Sequence, residues 1–147
     1  MKACVESAGS VASRVTLGNH ALLFDQPNSV PGGEDRGPSP LDVMAASVGA
    51  CAHYFAAAFL HARKLETIGL RVEVEAEKVR DPAPRFGRFS IRIKLPSDVP
   101  EHYMAPIERA VRGCPAYGTL VHPPEVEVSI CRDMPRDPTT RLELPNS

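Results

Sequence analysis

The chain contains no tryptophan, and aromatic residues make up only 5% of it. Apolar burial therefore falls mainly to alanine and the small aliphatic residues, whose cores let backbones approach closely, within a subunit or between two. Neither sign of charge is in excess: 17 basic residues stand against 18 acidic ones. That balance removes any bulk electrostatic reason to expect nucleic acid or an anionic membrane as partner, and points to a small substrate. No apolar run of signal-peptide length precedes Gly9 and Ser10 near the N-terminus, so the expected location is the cytoplasm. The least polar stretch, residues 43–60, is interrupted by Ser47, Gly49, His53 and Tyr54, which suits a helix buried in protein better than a membrane span. The four cysteines, at 4, 51, 114 and 131, show neither the CxxC pairs of a zinc site nor the density of a disulfide scaffold. No spacing implies a metal, a flavin or a haem, and the expectation is two redox thiols and two bystanders.

What is present divides the chain cleanly. At 147 residues it has the length of one domain, expected over residues 1–131, followed by a polar, proline-containing tail over 132–147. Three short β-rich stretches, 3–6, 11–17 and 21–24, are separated by the turn dipeptides Gly9-Ser10 and Gly18-Asn19, which predicts a small antiparallel meander. The proline- and glycine-rich segment 26–40 reads as a surface loop. Its end carries a helix start: Ser39 suits the N-cap, Pro40 the first helical position and Asp42 the positive first turn. The helix is expected over 40–64, with Cys51 on a stripe that includes Met44, Ser47, Val48, Phe55, Ala58 and Ala62.

Strict alternation of apolar and charged residues over 70–79 and again over 86–95 predicts a long hairpin with one wet face. Tyr103, Ile107, Ala110 and Val111 space a second helix over 101–113, placing Cys114 just beyond its end. A last alternating segment, 125–131, predicts a final strand. Helices against a mainly antiparallel sheet make this an α+β fold.

The phrase Gly32-Gly33-Glu34-Asp35-Arg36-Gly37-Pro38-Ser39-Pro40, running into an alanine-rich helix with a central Cys51, and the later Cys114-Pro115-Ala116-Tyr117 resemble the OsmC/Ohr family of thiol-dependent hydroperoxide reductases. The resemblance runs from the first strand to about Cys131. It implies an OsmC-like fold with a long central cysteine-bearing helix, an intertwined homodimer, and active sites at the subunit interface. It implies further that Cys51 is the peroxidatic thiol and Cys114 the resolving thiol, with a small hydroperoxide, preferably organic, as substrate and an external thiol as reductant. An arginine held by a carboxylate would activate Cys51. The family places its arginine in the N-terminal region, which makes Arg14 the first candidate and Arg36, in the loop, the second. The hydroperoxidase branches carry a Glu ten residues before the helix cysteine, where this chain has Leu41; its acid, Asp42, comes one place later, turned by about 100° on a helix.

Such chemistry needs a thiolate, because a free cysteine is mostly protonated at neutral pH and must be helped by a cation or by hydrogen-bond donors. Two other readings compete. One is a non-catalytic stress or ligand-binding protein with vestigial thiols, which the missing Glu favours. The other is a cysteine acyltransferase or hydrolase, which needs His53, His61 or His122 within reach of Cys51. His53 lies nearly opposite Cys51 on a helix, so that pair requires a second chain. Cys4 and Cys131, in expected strands, read as structural.

Overall fold

The computed structural model describes residues 2–132. The expected tail from 133 onward lies outside the described residues. The N-terminal meander forms as read: β1 (Cys4–Ser7), β2 (Ser13–Leu17) and β3 (His20–Phe24) pair antiparallel in chain order. Both turns use glycines at positive φ, Gly9 at 124° and Gly18 at 57°, where a side chain would be strained.

The loop after β3 is held by contacts that explain its glycines. Asp25, only 2% exposed, accepts from the backbone N–H groups of Gln26 (2.8 Å) and Arg36 (3.2 Å). Burial alone would raise its pKa, but these amides, that of Glu34 and the Arg36 charge outweigh it and hold the carboxyl below its ordinary value. The loop thus folds back on the end of β3, and the backbones meet with no room for a Cβ. One added at Gly33 would stand 2.5 Å from the Pro27 carbonyl, and one at Gly37 would overlap the carbonyl of Leu23. Gly37→Ala is therefore expected to cost about 1–3 kcal/mol by overpacking, read as a lower urea midpoint with an unchanged slope.

Helix α1 (Pro40–His61) starts as the sequence dictates. Ser39 Oγ accepts from the Asp42 N–H at 3.3 Å and donates to Asp42 Oδ2 at 2.6 Å, so the hydroxyl caps the helix while the carboxylate holds the hydroxyl in place. The helix ends three residues before the expected Lys64, which adopts a left-handed φ of 57°. By length and composition α1 is apolar enough to cross a membrane. Its buried stripe, Val48, Ala52, Ala56 and Leu60, is instead the centre of a protein core with Val99, Ile107 and Val111, flanked by Phe55, Phe59, Val72, Ile91 and Ile93.

The hairpin appears as β4 (Arg71–Val79) and β5 (Arg85–Lys94), with a register shift at Glu77/Lys78. Its apolar pairs Val72–Ile93, Val74–Ile91 and Ala76–Phe89 share one face. On the other face Glu73 gathers Arg71, Arg92 and Lys94, at 3.2, 3.7 and 2.7 Å, and these cations lower its pKa, Lys94 foremost.

Two elements differ from expectation. The second helix comes as a 3-10 turn (Glu101–Tyr103) leading into α2 (Met104–Arg112), and beyond Gly113 the chain turns into a further helix, α3 (Pro115–Val121). The strand expected over 125–131 is absent: residues 123–132 form no strand, and Val126, Val128 and Ile130 stand 77%, 85% and 94% exposed. The alternation is that of a strand, but a strand needs an edge to pair with, and no edge among the described residues meets it. The fold is α+β, with antiparallel sheets and helices as expected, less that one strand.

Candidate active site: two thiols between three helices

Cys51 lies midway along α1, partly exposed, one helical turn from Val48 and from Phe55. Cys114 is 1% exposed. Sixty-three residues apart in sequence, the two cysteines are brought into one neighbourhood because α1 packs against both α2 and α3, near enough for Cys51 to help raise the Cys114 pKa. Both are reduced, as are Cys4 and Cys131, which are exposed.

The position of Cys114 follows from local rules. Gly113 closes α2, its N–H bonding back to Arg109 and Ala110. Cys114 then takes extended backbone angles and serves as N-cap of α3, with Pro115 at the first helical position; the Ser39-Pro40 pair that opens α1 has the same grammar. Here the cap atom is sulfur: Sγ accepts from the Tyr117 N–H at 3.3 Å. Burial raises the Cys114 pKa above its ordinary thiol value, the amide of Tyr117 opposes this, the neighbouring Cys51 thiol adds to it, and the amide of Ala116 opposes it weakly.

Cys114 is thus favoured as the neutral thiol in the folded chain. The linkage has one sign: that preference stabilises the fold fully below the unfolded thiol pKa and is lost as pH rises through the raised folded value. Iodoacetamide is accordingly expected to label Cys51 well before Cys114 at neutral pH. Labelling of Cys114 should rise only above the ordinary thiol range, as mass mapping across a pH series will show.

The other expected site residues lie elsewhere in this chain. Asp42 precedes Cys51 by nine residues, about 13 Å along the helix and about 180° around it, and its carboxylate is engaged by Ser39. Arg36 donates to Glu34 at 3.3 Å and to the Ala8 carbonyl at 2.9 Å, tying the loop to the meander. Arg14 sits on β2 with a buried Nε that has no hydrogen-bond partner among the described residues. The meander's strands make no extensive contact with α1, and Arg36 is occupied by Glu34 and the Ala8 carbonyl, so neither arginine is seen at Cys51 within one chain.

A cavity of about 640 Å³ lies between α1 and the hairpin, lined by Asp42, Ala46, Gly49, His53, Val74 and Lys78 among others. Its helix face is the one opposite Cys51, so it does not open onto the thiols. Among the described residues no cluster of His, Cys, Asp or Glu could hold a metal ion.

An α+β chain with a cysteine at the centre of its long helix and a second capping the helix that packs against it defines a two-thiol scaffold. The fold has known relatives. Residues 32–129 match the profile of the OsmC-like protein family, and the chain belongs to that family. Among solved structures it resembles a Psychrobacter arcticus protein assigned to osmotic stress and detoxification responses (TM-score 0.72, 19% identity, 84% of this chain and 89% of that one). It also resembles an organic hydroperoxide resistance protein from Legionella pneumophila (0.62, 17%, 81% and 87%). A third likeness is to the organic hydroperoxide resistance protein OhrB of Bacillus subtilis (0.55, 16%, 80% and 88%). At these identities the likenesses speak for the fold. No protein of curated function matches the chain in sequence.

The amides of Ala116 and Tyr117 escaped the sequence reading as contributors to this arrangement. Only the Cys114-Pro115 pair carried a signal, the cap followed by proline.

Proposed function

We propose that the chain is a thiol peroxidase that reduces organic hydroperoxides through Cys51 and Cys114. The observation that carries the reading is the packing of the helix that bears a partly exposed thiol against the helix capped by a buried one, in a neighbourhood where the buried thiol feels the other. The accessible Cys51 is the one that can meet a substrate. Its thiolate attacks the O–O bond, giving Cys51 sulfenic acid and, after protonation, the alcohol. Cys114, shielded from bulk peroxide, then displaces water from the sulfenic acid to form the Cys51–Cys114 disulfide. Two external thiols, or one dithiol, supply the two electrons and two protons that restore the pair and leave as their own disulfide. Hydroperoxide-resistance proteins among the structural neighbours favour this class of substrate.

The working unit we infer is a homodimer, and surface area supports it. A compact monomer of 15.9 kDa exposes about 7,300 Å² by the usual size scaling, whereas this chain exposes 11814 Å². Even with residues 133–147 granted the full area of an extended chain, about 2,500 Å², a surplus of about 2,000 Å² remains. Doubled, that is the size of an obligate homodimer interface. The meander, which makes no extensive contact with the helices or the hairpin, and the exposed alternating segment Val126-Glu127-Val128-Ser129-Ile130 offer such a surface. In such a dimer Arg14 of one subunit activates Cys51 of the other, which gives its unpartnered Nε a task. Steady-state turnover of cumene hydroperoxide with a dithiol reductant tests the reading: a peroxidase consumes many equivalents, and a binding protein with vestigial thiols consumes none.

A further inference from the structure

Helix α3 carries the buried thiol but buries no side chain of its own. Its first turn is fixed at Cys114; further on, a side-chain chain ties it to α2. Arg112 Nε and Nη2 donate to Glu108 Oε1 at 2.9 and 2.8 Å, and Nη1 donates to the Tyr117 hydroxyl at 3.0 Å. Arg112 is thereby a fork with one arm on its own helix and one on the next. Tyr117 is also the residue whose N–H binds Cys114 Sγ, and its ring lines the groove against Phe89, Ile91 and Ile93 of β5.

We infer that Arg112 and Tyr117 are positioning residues for the resolving step: the Glu108–Arg112–Tyr117 link holds α3 so that Cys114 Sγ stays against Cys51. This rests on the peroxidase reading for its role in turnover, though the geometry it concerns can be read without peroxide. The cap at Sγ fixes only the first turn of α3, and the side-chain link fixes the next. Without that link α3 samples more orientations, and the effective concentration of Cys114 at Cys51 falls. Attack on peroxide by Cys51 does not involve α3 and proceeds unchanged.

The test uses the full chain and two readouts. Tyr117→Phe removes only the hydroxyl, a change that folding should tolerate. In glutathione redox buffers, where two thiols and one oxidised glutathione yield the disulfide and two reduced glutathiones, its Cys51–Cys114 disulfide is expected to form with an equilibrium constant about three- to tenfold lower. In stopped-flow reactions with cumene hydroperoxide, closure of the disulfide slows by a similar factor while the preceding step keeps its rate. Arg112→Gln gives the same pattern, and the double variant is no worse than either alone, because both break one link. Lys94→Gln, which breaks an exposed ion pair on the far face of the hairpin, moves neither readout. Equal disulfide stability in Tyr117→Phe and the unmutated chain overturns the inference, as does an equal loss in both kinetic steps or full additivity of the two variants. A chain that forms no Cys51–Cys114 disulfide at any glutathione ratio refutes the peroxidase reading itself, which separates the two failures.

Discussion

Cys51→Ser is expected to lower steady-state consumption of cumene hydroperoxide by on the order of 10³-fold or more, the scale of losing a nucleophile outright. A serine hydroxyl is a far weaker nucleophile than a thiolate at neutral pH, and the thiol left nearby is 1% exposed with its pKa raised by burial. Cys114 therefore does not substitute for it. Cys114→Ser should behave differently: without added thiol it reduces about one equivalent of peroxide per chain and stops as the Cys51 sulfenic acid, because no second thiol of the chain is there to condense with it. The asymmetry between the variants follows from exposure, since one thiol faces solvent and the other faces its partner. Comparable residual activity in Cys51→Ser, or equal behaviour of the two variants, would contradict the assignment of roles.

The second large effect concerns Arg14. Removing a cation that stabilises charge developing in a transition state typically costs about 10²-fold in kcat, and Arg14→Gln is expected to lose that much. Magnitude alone would not show which chain the arginine serves, but complementation does. Arg14→Gln and Cys51→Ser chains, each nearly inactive alone, are co-expressed and the mixed dimer is isolated. If Arg14 acts across the interface, one site of that dimer combines an intact Cys51 with an intact Arg14, and activity returns. If it acts within its own chain, no site is complete and the mixed dimer stays inactive. Arg36 gives a built-in contrast. Its guanidinium is engaged by Glu34 and the Ala8 carbonyl, so Arg36→Gln should disturb the loop and leave the chemistry largely intact.

Local grammar made most of the fold legible. Ser39, Pro40 and Asp42 marked the start of α1 to the residue because capping is decided by the side chains nearest the first free amides. The hairpin and the meander followed from alternation and turn glycines, which are equally local. Helix α3 was lost because Gly118 and Thr119 weaken a short segment, although Cys114-Pro115 repeats the cap-and-proline signal read correctly at Ser39-Pro40. The segment 125–131 has the pattern of a strand, but pairing is a property of two segments, and its apolar residues find no edge among the described residues.

The site divides in the same way. Cys51 and Cys114 were legible through the family resemblance, and no local rule could bring together two residues separated by a hairpin and a helix. The need for glycine at 33 and 37 became a physical statement only when the loop was seen lying on the backbone of Leu23 and Gln26. Asp25 had no signal, since an aspartate after a strand reads as a turn residue and its burial is a fact of tertiary packing. Asp42 shows the limit of carrying a role by position: its hydrogen bonds within this chain are those of a cap.

The central claim is that Cys51 attacks and Cys114 resolves, and mass spectrometry tests it most directly. Unmutated and Cys114→Ser chains are treated with one equivalent of cumene hydroperoxide, with and without dimedone to trap sulfenic acid. The account predicts a Cys51–Cys114 disulfide in the unmutated chain and a dimedone adduct on Cys51 in Cys114→Ser. Cys51 remaining reduced in both chains at millimolar peroxide would contradict it.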